Sequence, residues 1–229
     1  DQFLKAVASR KLDMSEAVTV ANLYLDVHRN DEAQKIVAPF ESDSKSAELD
    51  SLYAKIAAAR GDTSFVEAWL KEKDYVGDRQ FSDMFFLAQQ NKQNDIALLI
   101  ADRYYQTRQD DHSRNLLVSG LILAGRYSDA LPYLRETKEL SQEDRDNYLT
   151  VLTKLSKTDA KYNEELVNLA SAELKNPGSD RRKQSLIYAL IDAGRADIAL
   201  PYIREYAKVL GGDWVEVYAG NLDKLGRHE

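Results

Sequence analysis

Apolar residues in the middle of the chain recur at the spacing of an α-helix. Leu117, Leu121 and Ala124 follow one another at i, i+4 and i+7, which places them on one face of a helix. After the turn signal Gly125-Arg126, a second apolar face begins at Ala130. No segment alternates apolar and polar residues between hairpin turns, so we assign no strands. The pattern predicts an all-α chain built from helix-turn-helix units.

These units repeat along the chain. The segment AGRYSDALPYLRE from Ala124 matches AGRADIALPYIRE from Ala193 at nine of thirteen positions, 69 residues later. Since 69 residues correspond to two periods of about 34, a further copy belongs between them. Turn signals elsewhere extend the period and place repeat starts near 14, 47, 78, 111, 145, 180 and 212. We therefore expect residues 1–229 to form a single array of helical repeats.

Local signals mark where the helices begin. Asp13, Ser141 and Ser179 each precede a predicted first helix and are residue types that cap helix N-termini. Pro132 and Pro201 occupy the same repeat position, early in the second helix. Because the first amides of a helix lack intrahelical partners, we expect both prolines in the first turn.

Composition excludes several classes of protein. The 229 residues include only 10 Gly and 4 Pro, too few for the turns of an all-β sandwich or barrel. The absence of Cys excludes thiolate zinc sites, iron–sulfur clusters and disulfides. A net charge of −7 argues against nucleic-acid binding, and the best apolar run, Leu116–Ala124, is too short to span a membrane. The chain begins at Asp1 without an initiator Met, so we expect a fragment of a longer protein.

The repeat resembles the tetratricopeptide repeat, a helix-turn-helix unit of about 34 residues. The unit that starts at 111 keeps the best match, with Gly125, Tyr127 and Ala130 at positions 15, 17 and 20. Glycine recurs at position 15, where it suits a left-handed helix end, at Gly61, Gly125, Gly194 and Gly226. The chain departs from the pattern at position 8, where large residues replace a small one: Phe85, Val118, Leu152 and Ile187. The resemblance implies a right-handed superhelical solenoid of antiparallel helix pairs.

In tetratricopeptide-like proteins, positions 2, 5, 9, 12 and 13 of the first helices line a concave groove. The resemblance therefore implies a partner-binding surface, whose candidate residues are Arg79, Phe86, Gln89, Gln90, Asn115, Ser119, Ile122, Arg181, Gln184, Tyr188 and Asp192. This lining is rich in amides and has aromatic and apolar points. It lacks the paired basic residues expected for a peptide carboxylate.

Signals of catalytic chemistry are weak. The three histidines, His28, His112 and His228, have no partner at metal-ligand spacing, so we expect no metal and no cofactor. The G-x-x-x-x-G pattern from Gly120 lacks the Lys and Ser/Thr of a phosphate loop. Acidic pairs lie near predicted helix starts, where they favour the helix dipole, and they are Asp110-Asp111, Glu143-Asp144 and Glu164-Glu165. The basic cluster Arg181-Arg182-Lys183 is a solvated face or a contact for an acidic partner.

Divergent, acidic, Cys-free arrays of this kind are similar to the periplasmic repeat regions of bacterial exopolysaccharide export proteins. That resemblance implies a non-catalytic scaffold in the periplasm, within a protein attached to the outer membrane. Its partner would be a polysaccharide deacetylase or hydrolase, with the polysaccharide itself as a further ligand and no nucleic acid. Two alternatives stay open: a cytosolic adaptor or regulator module, and a helical glycan-active enzyme.

Overall fold

The computed structural model describes residues 11–43, 46–73, 76–137 and 139–227. These residues form thirteen α-helices and two 3-10 segments, with no strand among them, so the all-α prediction is confirmed. The chain divides into two compact units, one ending at Gly125 and the other beginning at Arg126.

The first unit contains seven described helices and one 3-10 segment, Ala38–Asp43. The helices are α1 (Met14–Asp26), α2 (Asn30–Val37), α3 (Ala47–Arg60), α4 (Thr63–Glu72), α5 (Asp78–Gln90), α6 (Asn94–Arg108) and α7 (Asp111–Leu123). Helices joined by a short turn pack together, as α1 does with α2 and α6 with α7. Alternate helices also touch, so that α3 contacts both α1 and α5. Within this unit, α1 and α3 therefore each pack against the other helix of their own pair and against the neighbouring pair.

The second unit follows the same plan with six described helices and the 3-10 segment Ala160–Tyr162. The helices are α8 (Tyr127–Arg135), α9 (Gln142–Ser156), α10 (Asn163–Glu173), α11 (Asp180–Asp192), α12 (Ala196–Leu210) and α13 (Asp213–Lys224). Consecutive helices pack against each other from α8 to α13, and the alternate helices α9 and α11 are also in contact.

The predicted N-caps form as expected. The Asp13 carboxylate accepts a hydrogen bond from the Glu16 backbone N–H at 2.9 Å, and the two residues complete a capping box. The Ser141 hydroxyl accepts from the Asp144 backbone N–H at 3.1 Å in a second box, and Ser179 caps α11 in the same way. These bonds satisfy amides that have no partner inside the helix.

Several of the first helices are followed by a residue whose backbone has the left-handed conformation, with positive φ. Gly61, Gly125 and Gly194 have φ of +87°, +72° and +73°, which confirms the predicted glycine helix ends. At the equivalent places after α1 and α5 the chain uses His28 and Lys92, with φ of +58° and +61°. A side chain disfavours this conformation because its Cβ crowds the backbone, so these two turns carry a conformational cost.

The two prolines lie deeper in their helices than predicted. Pro132 is inside α8, which begins at Tyr127, and Pro201 is inside α12, which begins at Ala196. The expectation of a first-turn position was wrong because each helix starts directly after its glycine turn, several residues before the proline. A proline at this depth has no N–H to give to the carbonyl four residues back.

Close packing between α6 and α7 depends on Gly120. A Cβ at this buried position would lie 3.1 Å from the Leu98 Cα, closer than ordinary contact. The large residues at repeat position 8 are buried nearby in the core of their units, as Phe85 and Val118 show at 1% exposure each. Gly120, noticed in the sequence only within a phosphate-loop-like pattern, is thus a packing residue.

At two places in the first unit, a side-chain hydrogen bond joins the second helix of one pair to the first helix of the next. The Asn30 amide donates to the Ala59 carbonyl at 3.2 Å, and the Asn94 amide donates to the Leu123 carbonyl at 3.0 Å, both 29 residues ahead. Each of these asparagines opens a second helix and reaches the end of the following first helix. The bonds satisfy carbonyls that a helix end leaves without partners.

Candidate functional site

The candidate groove residues of the first unit lie on α5 and α7, the first helices of two neighbouring pairs. Ser82 Oγ and His112 Nε2 lie 3.1 Å apart and link these helices. Ser82 occupies repeat position 5 and His112 occupies position 2, so two groove positions of adjacent repeats meet. We refer to the exposed residues of α5 and α7 around this contact as the α5/α7 surface.

Phe86 is the most prominent residue of the α5/α7 surface. Its side chain is 47% exposed, and its ring meets the edge of buried Phe85 with 5.4 Å between centroids. The other candidates vary in exposure: Arg79 and Gln90 are exposed, whereas Gln89, Asn115, Ser119 and Ile122 are partly buried. The surface is therefore an exposed ring beside amide and hydroxyl groups.

In the second unit, Tyr188 occupies the same repeat position as Phe86. It is 46% exposed on α11, and its ring lies 5.6 Å from that of Trp214 on α13. Trp214 in turn stacks on Tyr206 of α12 with 4.8 Å between centroids. The Tyr206 hydroxyl donates to Asp180 at 3.1 Å, and burial together with this bond raises its pKa to about 12. Sequence reasoning missed Trp214, although its place two residues into the last repeat was available as a signal.

The remaining candidates of α11 have different surroundings. Arg181 is exposed and Gln184 is partly buried. Asp192 forms an ion pair with Lys157 Nζ at 2.9 Å, so its carboxylate already has a partner within the unit. The structure therefore leaves Arg181 and Tyr188 as the groups of this set that are most open to a partner.

A cleft of about 550 Å³ lies between α9 and α11 in the second unit. Its lining has both polar and apolar surface, and the polar side chains are those of Gln142, Asp146, Thr150, Ser179, Arg181, Arg182 and Ser185. Of the predicted site residues, only Arg181 lines this α9/α11 cleft. Hydroxyl, amide and charged groups line the cleft together with the apolar side chain of Leu149, a combination that suits a partner segment with hydrogen-bonding groups.

Arg182 forms the floor of the α9/α11 cleft and is only 7% exposed. Its Nε donates to Glu173 Oε2 at 3.0 Å, and its guanidinium also pairs with Asp146. Burial raises the pKa of Glu173 and lowers that of Arg182, so the charged form of each is favoured by its ion-pair partners, which for Glu173 also include the Arg145 Nε at 3.5 Å. Arg182 is thus a structural cation that holds α9, α10 and α11 together.

The basic cluster predicted around Arg182 separates into different roles. Lys183 pairs with Glu205 Oε2 at 3.0 Å, and its Nζ lies 4.9 Å from the centre of the Tyr206 ring. Arg181 forms no ion pair with any residue that the structure describes. Of the three cations, only Arg181 offers its charge to an outside group.

The acidic pairs have local partners at helix starts. Asp110 caps α7, and the backbone hydrogen bond from Ser113 lowers its pKa. Asp144 belongs to the capping box of α9. Glu165 accepts from Arg135 and Tyr148, and the Arg135 hydrogen bond lowers the pKa of Glu165. These contacts give one carboxylate of each acidic pair a role as a cap or ion-pair residue.

The described residues contain neither a cluster of metal ligands nor a membrane-spanning helix. No three His, Asp or Glu side chains in the described ranges are grouped as a metal site, and His228 lies outside those ranges. Among the described helices, none combines the length and apolar character needed to cross a bilayer.

The chain matches no protein-family model, and it matches no curated protein.

Proposed function

We propose that the chain is a non-catalytic protein-interaction scaffold, built as a right-handed superhelical solenoid of tetratricopeptide-like helix pairs. Contacts between alternate helices in each unit, and the hydrogen bonds of Asn30 and Asn94 to the next pair, support this arrangement. Repeats that contact only their neighbours present an extended, rigid surface. Such a surface binds with a small ordering cost, because its side chains are already positioned.

The observation that carries the proposal is an exposed aromatic ring at repeat position 9 in both units. Phe86 and Tyr188 are 47% and 46% exposed, while the aromatic residues Phe85 and Tyr206 beside them are buried. Large exposed rings flanked by amide and hydroxyl groups are typical of protein interfaces. Each ring is supported by a neighbouring aromatic group, which limits its freedom before binding.

We assign the scaffold to the periplasmic repeat region of an exopolysaccharide export protein of the Pel type. The support for this step is the sequence resemblance. The partner in this assignment is a polysaccharide deacetylase or hydrolase that the scaffold holds near the export pore. Polysaccharide is a secondary ligand, since Gln, Asn and Tyr side chains can hydrogen-bond sugar hydroxyls.

Binding of the purified chain to the purified deacetylase of a Pel-type system tests the proposal. We expect Phe86→Ala and Tyr188→Ala each to weaken binding about tenfold, as the loss of an interface aromatic commonly does. Val209→Ala is the matched control, because Val209 is 75% exposed on the second helix α12. Unchanged binding by both aromatic variants would remove the assigned surface.

The same preparation separates the scaffold from the two alternatives. Cleavage or deacetylation of polysaccharide by the chain alone, abolished by an Asp or Glu substitution, would establish an enzyme and overturn the proposal. Tight binding to a cytosolic regulator with none to the periplasmic enzyme would favour the adaptor. Binding to the enzyme without turnover by the chain supports the scaffold.

A further inference from the structure

A second cleft lies in the first unit, away from the α5/α7 surface. It is formed by α3, α4 and the 3-10 segment after α2, and its volume is about 360 Å³. Three carboxylates and three aromatic rings line it, namely Glu41, Asp50, Glu72, Tyr53, Phe65 and Trp69. We refer to it as the acidic aromatic cleft.

Hydrogen bonds fix the rings of this cleft in place. The Trp69 indole N–H donates to Asp50 Oδ2 at 2.9 Å, and the Tyr53 hydroxyl donates to the Val37 carbonyl at 2.8 Å. Trp69 is 5% exposed, whereas Phe65 is 39% exposed at the rim. The Tyr53 and Trp69 rings are thus positioned before any ligand binds. Phe65 forms the exposed rim of the cleft, and Trp69 forms its buried wall.

The charge of the cleft is negative. Glu41 and Glu72 are exposed and form no ion pair with any residue in the described ranges. Asp50 is paired with Lys73 Nζ at 2.8 Å, so two of the three lining carboxylates have no ion-pair partner among the residues that the structure describes. Burial and the nearby Glu41 carboxylate raise the pKa of Tyr53, which agrees with a negative potential at this wall.

An ammonium group of the chain, that of Lys73, already contacts two of the residues that line the cleft. Lys73 Nζ lies 5.6 Å from the centre of the Trp69 ring while it contacts Asp50. An ammonium group over a ring and beside a carboxylate gains from both the ring quadrupole and the negative charge. Asp50, the carboxylate that Lys73 pairs with, lines the cleft together with Glu41 and Glu72.

We propose that the acidic aromatic cleft binds a lysine side chain from an exposed segment of a protein partner. The aromatic walls accept the methylene stem, and the Glu41 and Glu72 carboxylates accept the ammonium group. Charge complementarity selects this occupant, since the carboxylates that line the cleft would repel an acidic segment. The inference does not depend on the proposed function, because the cleft shares no residue with the α5/α7 surface.

The test uses Trp69 as its own reporter. The chain contains two Trp residues, so Trp214→Phe leaves Trp69 as the single indole. The probe is the peptide acetyl-Gly-Lys-Gly-amide, and the comparison peptide carries Nε-acetyl-lysine, which has the same stem without the charge. We expect the lysine peptide to quench Trp69 fluorescence saturably. The acetylated peptide should bind at least fivefold more weakly. Binding of the lysine peptide should also weaken in 0.5 M NaCl, because salt screens the charges.

Variants on and beside the cleft locate the binding. Glu41→Gln and Glu72→Gln should each weaken binding about threefold to fivefold, as expected for partly exposed charge pairs. Glu67→Gln is the matched control, since Glu67 is exposed on the same helix but does not line the cleft. Lys73→Met should strengthen binding severalfold, because it frees Asp50 and removes an internal competitor.

Several outcomes would overturn the inference. These are equal binding of the acetylated peptide, equal weakening by Glu67→Gln, and no saturable quenching at any peptide concentration that stays soluble. Tighter binding of an oligomer of glucosamine than of the lysine peptide would assign the cleft to a sugar amine and overturn the protein partner. Urea unfolding midpoints show whether each variant is folded. If either Glu41→Gln or Glu72→Gln does not fold, the other variant alone tests the cleft.

Discussion

Lys92 occupies a turn position that glycine fills in other repeats, so replacing it with glycine should stabilise the protein. Its φ is +61°, close to the +72° of Gly125. The left-handed conformation costs a residue with a side chain about 1–2 kcal/mol, and glycine is free of this cost. Glycine loses more backbone freedom on folding, by about 0.5–1 kcal/mol. The net gain for Lys92→Gly is therefore about 0.5–1 kcal/mol.

Gly125→Ala is the mirror experiment at the equivalent turn. No described heavy atom lies within 4 Å of the position that a Cβ would take there, so no steric clash adds to the conformational cost. The same two contributions then predict a loss of about 0.5–1 kcal/mol. Because the two substitutions act through the same backbone conformation, their effects should be similar in size and opposite in sign.

Urea unfolding followed by circular dichroism measures both changes as shifts in the midpoint at constant slope. Glu67→Gly is the control, because Glu67 is exposed within α4 and a glycine there should cost about 1 kcal/mol. If Lys92→Gly lowers the midpoint as Glu67→Gly does, the left-handed cost assigned to Lys92 is wrong. An unchanged midpoint for Gly125→Ala would lead to the same conclusion.

Three further predictions concern buried and charged groups. Arg182→Met should cost about 3 kcal/mol, because it leaves buried Glu173 with only the Arg145 Nε, 3.5 Å from its Oε1, as a counter-charge, and adding Glu173→Met should recover much of the loss in urea unfolding. Gly120→Ala should cost about 1–3 kcal/mol by forcing α6 and α7 apart, whereas Ala at an exposed helical site should not. The Arg135 hydrogen bond lowers the pKa of Glu165 below its ordinary value of 4.5. The ionised Glu165 therefore stabilises the fold at pH values above 4.5, and this stabilisation is lost as the pH falls through the lowered pKa. Glu165→Gln should therefore lower stability at pH 7 by no more than about 1 kcal/mol and have little effect at pH 2; an equal effect at both values would contradict this.

The features that the sequence predicted best depend on short stretches of chain. Asp13 and Ser141 form their capping boxes, and Gly125 takes the left-handed conformation, because each outcome is decided within four residues. Helical periodicity gave the all-α class for the same reason. Pro132 was misplaced because the start of α8 depends on how tightly the preceding turn closes, which periodicity does not specify.

The sites were harder to predict because they join residues from different helices. Periodicity indicates which face of a helix is apolar, but it does not show which side chain of the next helix lies beside it. Arg182 reads as one of three clustered cations, and its burial depends on Glu173 of the preceding helix. The contact of Trp69 with Asp50 likewise joins two helices of one pair. Contacts between side chains of neighbouring helices therefore form most of the sites described above.

The hydrogen bonds of Asn30 and Asn94 have a consequence for how a chain of this kind can change over generations. Each reaches a carbonyl 29 residues ahead, so the polar links between helix pairs span about one repeat. Within a unit, an in-frame duplication or loss of one helix pair would create or remove one such link and leave the others intact. The length of the binding surface could therefore be altered by whole repeats, while the residues inside each repeat diverge on their own.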